Sequence, residues 1–314
     1  MILLDLFSGY GGFHLGLQQA GFTFDKVYYS EINKHALANY EYNFPNAQSI
    51  GDVRTVIGTG IERPDIITFG SPCQGFSSIG ERKGLSDKRS VLIEYALSAV
   101  AYYRPTVFIW ENVKGMFSRS HRKDFFAIYK KMSSIYGYRR ELQLIDTAWL
   151  LPQHRERYYV VGYFADRCKG QVLPICENDS IFATQNKAKK RQTQTEDCCT
   201  TIRVGFGTKS DDTFILCNPD KNNNVRTLTG GGKGNRTGIT EKGTYLKQGE
   251  RLRRFTEIEC ERLQGLPDDW TKYGIYRGQI KEIAMKNRYD MIGNGVSTPV
   301  VEEIGKSILQ NIEI

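Results

Sequence analysis

Ile2-Leu3-Leu4-Asp5-Leu6-Phe7-Ser8-Gly9-Tyr10-Gly11-Gly12-Phe13 reads as a short apolar strand, a turn built from glycines and the start of a helix. Leu15, Leu17 and Ala20 continue with helical spacing, and Gly21 closes the element. Strand, glycine turn and helix in that order let a nucleotide approach the backbone. The expected companion is an acid about 20 positions on, at the end of a second strand, placed to hold ribose hydroxyls. Glu31, after Val27-Tyr28-Tyr29-Ser30, meets that expectation. The dinucleotide fingerprint G-x-G-x-x-G fails, because counting from Gly9 its third glycine position is His14. The turn therefore points away from NAD and towards a nucleoside cofactor without a pyrophosphate. Asp52, in Ile50-Gly51-Asp52-Val53, extends the series, since acids after the second and third strands suit ribose and adenine.

The remainder of the chain repeats this rhythm as far as Phe164. Helices are predicted over about 33–42, 90–103 and 124–136, with strands at 66–69, 106–110, 142–146 and 158–164. A regular alternation of this kind predicts an open α/β sheet, whose active groups lie beyond the carboxyl ends of its strands. Ile66-Ile67-Thr68-Phe69 leads to Gly70-Ser71-Pro72-Cys73-Gln74-Gly75-Phe76-Ser77 and so gives Cys73 that address. A lone cysteine is commonly just a small buried hydrophobe. Here Pro72 fixes the backbone before the thiol and Gly75 permits close approach behind it, so Cys73 reads as a nucleophile. Glu111, in Glu111-Asn112-Val113, follows the next strand; it is either a helix-start acid or, beside Cys73, a candidate proton donor. Arg155 and Arg157 alternate in Gln153-His154-Arg155-Glu156-Arg157 and so share one face of an extended segment, as a solvated edge or as part of the site.

The 314 residues carry a formal charge of +8, with 40% hydrophobic and 25% charged residues, which describes a globular chain suited to a polyanionic partner. Seven cysteines without C-x-x-C spacing indicate neither a disulfide framework nor a zinc knuckle, and no metal is expected. No apolar run reaches the roughly 18 residues of a membrane span, and no signal peptide is evident, so a cytoplasmic protein is expected. After Phe164 the composition turns polar, rich in Asn, Gly, Thr and Lys, until about residue 250. That shift marks a second domain. Within it, Arg226-Thr227-Leu228-Thr229-Gly230-Gly231-Gly232-Lys233-Gly234 offers hydroxyl and cationic donors for a phosphate backbone or a base edge, or is a plain loop. Thr256 and Glu259 form a capping box for a further helix that Gly265 and Pro267 stop, and Gly293-Asn294-Gly295-Val296 is read as a turn before a terminal helix.

Taken together these blocks resemble the C5-cytosine DNA methyltransferases, above all the bacterial and phage modification enzymes. The resemblance covers residues 1–164 and about 251–314, with Asp5 to Phe13, Gly70 to Ser77, Glu111 to Val113, Gln153 to Arg157, Arg254 to Pro267 and Gly293 to Val296 in the family's order. It implies an α/β fold: a Rossmann-like methyltransferase sheet with helices on both faces, formed by 1–164 and 251–314. It also implies a smaller, irregular, β-rich target-recognition domain at 165–250. By that match Phe7, Gly9, Gly11, Glu31, Asp52, Val53, Pro72, Leu92, Asn294 and Val296 would bind S-adenosylmethionine. Cys73, Glu111, Arg155 and Arg157 would be catalytic, and Gln74, Ser77, Ile79, Arg82, Arg89, Arg203, Arg226, Thr227 and Arg236 would contact DNA. Two positions depart from the family pattern: Ile32 stands where many members have an aromatic beside the adenine, and Ile79 where a small polar residue is common.

The chemistry accounts for these residue types. Cytosine C5 is a poor nucleophile until a group adds at C6, which a cysteine thiolate can do. Glu111 at N3 and Arg155 or Arg157 near O2 would stabilise the charge that develops on the ring. Stacking blocks that attack within a duplex, so the base must be flipped out. The expected partner is double-stranded DNA, acted on by a monomer, with a cognate restriction endonuclease, where one exists, acting separately. Two other readings stay open: an RNA cytosine-5 methyltransferase on the same scaffold, and a catalytically silent DNA-binding relative.

Overall fold

A computed structural model describes residues 1–71, 92–118, 121–175 and 254–314 in full, and by backbone alone the strands Cys199–Ile202 (β9), Phe214–Cys217 (β10), Val225–Arg226 (β11), Tyr245–Gln248 (β12) and Arg251–Arg253 (β13). A sheet of seven strands organises the molecule: Ile2–Leu6 (β1), Lys26–Ser30 (β2), Gln48–Ser49 (β3), Ile66–Gly70 (β4), Val107–Val113 (β5), Tyr138–Asp146 (β6) and Glu156–Phe164 (β8), in the order β3-β2-β1-β4-β5-β8-β6. The two-residue strand Gln153–His154 (β7) lies outside it. β1 pairs in parallel with β2 on one side and β4 on the other, so the direction of winding reverses there. A crevice opens at the carboxyl ends of strands flanking such a reversal. β8 runs antiparallel to both β5 and β6. Its link from β6 is only residues 147–155, too short for the crossover that a parallel neighbour requires.

Strand side chains alternate between faces, and apolar residues at both parities let this sheet be covered twice. Leu3, Val27, Ile66, Val107 and Ile109 pack towards Phe13 and Leu17 of Gly12–Gln19 (α1) and towards Val301, Ile304 and Ile308 of Thr298–Asn311 (α7). Leu4, Leu6, Ile67, Phe69, Phe108 and Trp110 pack towards Leu92–Tyr103 (α3) and Arg122–Ser134 (α4). α1 and α7 meet almost backbone to backbone: a Cβ on Gly16 would lie 2.7 Å from Val301 Cβ, and one on Gly305 2.7 Å from Ala20 Cβ. Helix Lys34–Asn43 (α2) starts at Asn33, whose side chain accepts from the His35 and Ala36 amides. Helix Glu257–Leu263 (α5) starts at Thr256 and has the expected capping box with Glu259.

Three features differ from the sequence reading or were missing from it. Gly293 and Asn294 are not in a turn; they end helix Met285–Asn294 (α6), and Gly295 is its cap. Tyr273–Tyr276 (β14) and Gln279–Glu282 (β15) form a hairpin against α2, with Arg277 and Gly278 both at positive φ. After Phe164 the chain continues along the large sheet. The Val172 and Leu173 amides donate to Glu141, and the Gln143 side chain exchanges two hydrogen bonds with the Ile175 backbone. Beyond that, β9, β10, β12 and β13 form an antiparallel sheet ordered β13-β12-β10-β9, and β11 pairs in parallel with β7. No helix among the described residues is long and apolar enough to cross a membrane.

Asp5 is fully buried in β1 under the glycine turn. It accepts from Thr68 Oγ1 at 2.7 Å and faces Tyr40 and, further off, Glu31. Burial pushes its carboxyl up to about 8, against the pull of the Thr68 hydrogen bond. The folded state therefore keeps a proton that the unfolded chain releases near 3.8. Stability contributed at this position is complete below the unfolded value and is lost as pH rises towards 8, at up to about 1.4 kcal/mol per pH unit. Asp5→Asn keeps the acceptor for Thr68 and removes the proton. Urea unfolding between pH 4 and about 8 is expected to show a flatter stability profile for the variant; parallel profiles would remove Asp5 as the source.

Candidate active site

The carboxyl ends of β1, β2, β4 and β5 converge on one rim, where the sequence places its acids. In the turn after β1, Phe7, Gly9 and Gly11 have φ of 56°, 55° and 82°, a left-handed path that favours glycine at most such positions. A Cβ on Gly9 would meet nothing within 4 Å, whereas one on Gly11 would strike the Phe44 ring at 2.3 Å. Glu31 fixes this turn to the end of β2. Its Oε2 accepts from the Gly9 amide at 2.9 Å, and its Oε1 from the Ile32 and Asn33 amides at 2.8 and 2.7 Å. Asp52 caps the turn Val53–Gly58 and pairs with Arg54 at 2.6 Å, and the Arg54 hydrogen bond holds its carboxyl below the usual range. Val53 is buried beneath it.

These residues suit an adenosyl group. Anchored Glu31 offers a carboxylate of fixed direction for ribose hydroxyls, and Ile32 beside it leaves an aliphatic side chain 72% exposed for a flat ring. The start of α1, where a pyrophosphate would otherwise sit, is packed instead: a Cβ on Gly12 would lie 2.8 Å from Val296 Cγ2 and 2.9 Å from the Tyr10 ring. Leu92 opens α3 and packs on the core, and the Asn294 side chain is exposed at the end of α6. On the sequence reading, in which this rim takes S-adenosylmethionine, Glu31→Ala is expected to weaken its binding by about 1.5–3 kcal/mol with little change in DNA affinity. Calorimetry showing unchanged cofactor affinity would move the site elsewhere.

Glu111, in β5, lies opposite Gly70 of β4 in the parallel register, three residues before Cys73 in the sequence. It is buried, and its Oε1 is 3.0 Å from Nε of Arg157, which β8 brings back along β5. Burial raises the Glu111 carboxyl above its ordinary value, and Arg157 and Arg155 pull against that rise. A carboxyl raised in this way takes up a proton more readily than an exposed one, and it does so beside a fixed cation. Neighbouring Asn112 and Trp110 donate from Nδ2 and Nε1 to Ser71 Oγ at 3.1 and 3.2 Å, joining β5 to the segment that leads into Cys73.

Arg155 is 2% exposed, at the joint between β7 and β8, so it belongs to no solvated edge. Its Nη1 and Nη2 donate to the carbonyls of Gly293 at 3.3 Å and Gly295 at 2.6 Å. Its own amide donates to Asp146 Oδ1 at 2.8 Å, and the other oxygen of Asp146 lies 2.5 Å from His154 Nδ1. Tyr10, Gln264, Asn112 and Asp146 escaped the sequence reading as site residues. The one available signal was that three of them are polar groups inside motif blocks. Cys73, Pro72, Gln74, Ser77, Ile79, Arg82, Arg89, Arg203, Thr227 and Arg236 lie outside the described residues, and Arg226 is described by its backbone alone, in register with His154.

The sequence matches the C-5 cytosine-specific DNA methylase family over residues 1–310. It is 29% identical over 327 aligned positions to the type II methyltransferase M.Bsp6I of Bacillus sp. (strain RFL6), covering 99% of each chain. It is 30% identical to the type II methyltransferase M.NgoBI of Neisseria gonorrhoeae, covering 96% of this chain and 91% of the relative. Among solved structures, the fold is similar to that of the Schizosaccharomyces pombe (S. pombe) Dnmt2 methyltransferase, with TM-score 0.66 and 20% identity over 99% of this chain and 98% of that one. The Entamoeba histolytica methyltransferase EhMeth superimposes with TM-score 0.65 at 17% identity, over 99% of this chain and 98% of that one.

Proposed function

The chain belongs to the C-5 cytosine-specific DNA methylase family, and we propose that it methylates C5 of a flipped cytosine in duplex DNA, using S-adenosylmethionine and a covalent bond between Cys73 and C6. The observation that carries this reading is Glu111: buried, paired with Arg157 and in register with Gly70 at the entry to the Cys73 segment. Cys73 adds to C6. Glu111 holds a proton at N3, and the guanidinium of Arg157, or of Arg155, offsets charge at O2. S-adenosylmethionine, when bound, supplies an electrophilic methyl group. Departure of the C5 proton and of the Cys73 thiolate restores the ring. Glu31, Asp52 and the turn at Gly9 hold the adenosine end, with Phe7, Leu92, Asn294 and Val296 around them.

Within residues 165–250, target recognition is assigned to the part after Ile175, since the residues before it pack on the large sheet, and the protein is read as a cytoplasmic monomer that needs no restriction endonuclease for its own reaction. Transfer of labelled methyl from S-adenosylmethionine is the test, with duplex DNA and RNA offered side by side. Label at cytosine C5 of DNA is expected. Label in RNA alone would favour an RNA methyltransferase, and none in either would leave a silent DNA-binding relative.

Specificity is assigned most sharply to Arg203 to Gly207 and Arg226 to Arg236, with Arg226 and Arg236 as the candidate base readers, since bidentate arginine to guanine is the commonest base contact. Replacing a base-reading arginine by alanine is expected to cost about 1–3 kcal/mol on the proper site and to relax one base pair. A phosphate contact would instead weaken every sequence alike and shallow the salt slope by about one unit. Methylation of a randomised duplex library decides, and an unchanged profile for both variants would remove them from base readout.

A further inference from the structure

We infer that Arg155 is a positioning residue that locks the cofactor-side segment 293–296 onto the catalytic strands rather than acting on the base; this rests on the methyl-transfer reading above. Gly293 and Gly295 lie at the end of α6, where the last carbonyls have no partner within the helix and carry the negative end of its dipole. The planar fork of Arg155 caps them with two donors. Its backbone is fixed on both sides, by Asp146 at its amide and by the Thr147 amide at its carbonyl, 3.0 Å away. A side chain so held acts as a strut between β8 and α6.

The same segment is also gripped by the turn after β1. Tyr10, between Gly9 and Gly11, donates its hydroxyl to the Val296 carbonyl, and its ring lies so close that a Cβ on Gly295 would come within 1.9 Å. Gln264, at the end of α5, donates to the Ile292 carbonyl at 3.0 Å and accepts at its own carbonyl from the Thr298 amide and hydroxyl. Arg155, Tyr10 and Gln264 thus converge on 292–298, the stretch that aims Asn294 and Val296. Arg157 is placed differently: its Nε lies on Glu111, and its side chain retains 14% exposure at the rim.

Arg155→Lys keeps the charge near Glu111 and loses the fork, Tyr10→Phe keeps the ring and loses the hydroxyl, and Arg157→Lys loses the directed contact with Glu111. In the full chain, Arg155→Lys and Tyr10→Phe are each expected to weaken S-adenosylhomocysteine binding about tenfold by calorimetry, with turnover restored towards wild type by excess S-adenosylmethionine. Arg157→Lys is expected to keep cofactor affinity and to lose single-turnover rate that excess cofactor does not restore. Wild-type cofactor affinity in Arg155→Lys, together with a rate loss insensitive to cofactor, would overturn the inference and place Arg155 on the base. If Arg155→Lys does not fold, unchanged cofactor affinity in Tyr10→Phe overturns it equally. Wild-type protein that binds no S-adenosylhomocysteine and transfers no methyl refutes the proposed function itself, whatever the variants do.

Discussion

Cys73→Ser is expected to abolish methyl transfer and to leave DNA binding in place. A thiol with an ordinary pKa of about 8.5 supplies a fraction of thiolate near neutrality that local charge can raise, whereas a serine hydroxyl supplies almost no alkoxide. The loss falls on the bond to C6, since serine keeps the shape of the cysteine side chain and removes the thiolate. Turnover within about tenfold of wild type would sink the nucleophile assignment, because covalent addition is worth far more than that. A duplex carrying fluorine at cytosine C5 gives the positive counterpart. Fluorine cannot leave as a proton does, so in the presence of S-adenosylmethionine the wild-type chain should be captured through Cys73 as an adduct visible by mass spectrometry. The serine variant should not.

Glu111→Gln is expected to lower single-turnover methyl transfer by about 10²–10⁴-fold, the usual worth of a positioned acid. Glutamine fills the same volume and still presents an oxygen to Arg157, so the strand pair should survive. What disappears is a proton that can be delivered to a ring nitrogen as charge develops. The wild-type pH profile should be a bell: an acid limb from Cys73, which must ionise, and an alkaline limb from Glu111, whose raised carboxyl loses its proton as pH rises through the folded value. In Glu111→Gln the alkaline limb should vanish and the acid limb remain. An unaltered alkaline limb would mean that the proton comes from elsewhere.

The sequence was most informative where the structure is local or strictly periodic. The turn from Phe7 to Gly12 is dictated by its glycines, Asn33 and Thr256 announce their helices by side chains that cap amides two and three residues on, and continuous apolar strands required a sheet covered on both faces. The placing of Glu111 beside the Cys73 strand also followed, because a right-handed α/β winding leaves few orders for successive strands. Contacts between distant residues were not legible. Arg155 meets carbonyls 138 and 140 positions away, Tyr10 one 286 away and Gln264 one 28 away, and nothing in the local pattern of an arginine or tyrosine names such a partner. Alternation of Arg155 and Arg157 implied a shared role. Their side chains meet different groups, Arg155 the carbonyls of Gly293 and Gly295 and Arg157 the Glu111 carboxylate. The hairpin at 273–282 was missed because the side chains of β15 are all exposed and carry no inward-facing apolar rhythm, although Arg277-Gly278 does mark a tight turn.

The glycine contact between α1 and α7 also bears on how the protein comes into being on the ribosome. The face of α1 that carries Gly16 is covered by residues 298–311, so the layer on that side of the sheet stays unfinished until those residues have been synthesised. At roughly 5–20 residues per second, the interval between the two glycines is on the order of tens of seconds. Through most of it the nascent chain has its β1 turn but neither Val296 against Tyr10 nor the α7 residues that complete the layer over Leu17. Such an intermediate exposes apolar surface and lacks the contacts that fix residues 292–298. Its need for protection by chaperones should therefore persist until residues 298–311 have emerged, and their docking on α1, rather than emergence of the Cys73 segment, should mark the moment at which DNA modification can begin.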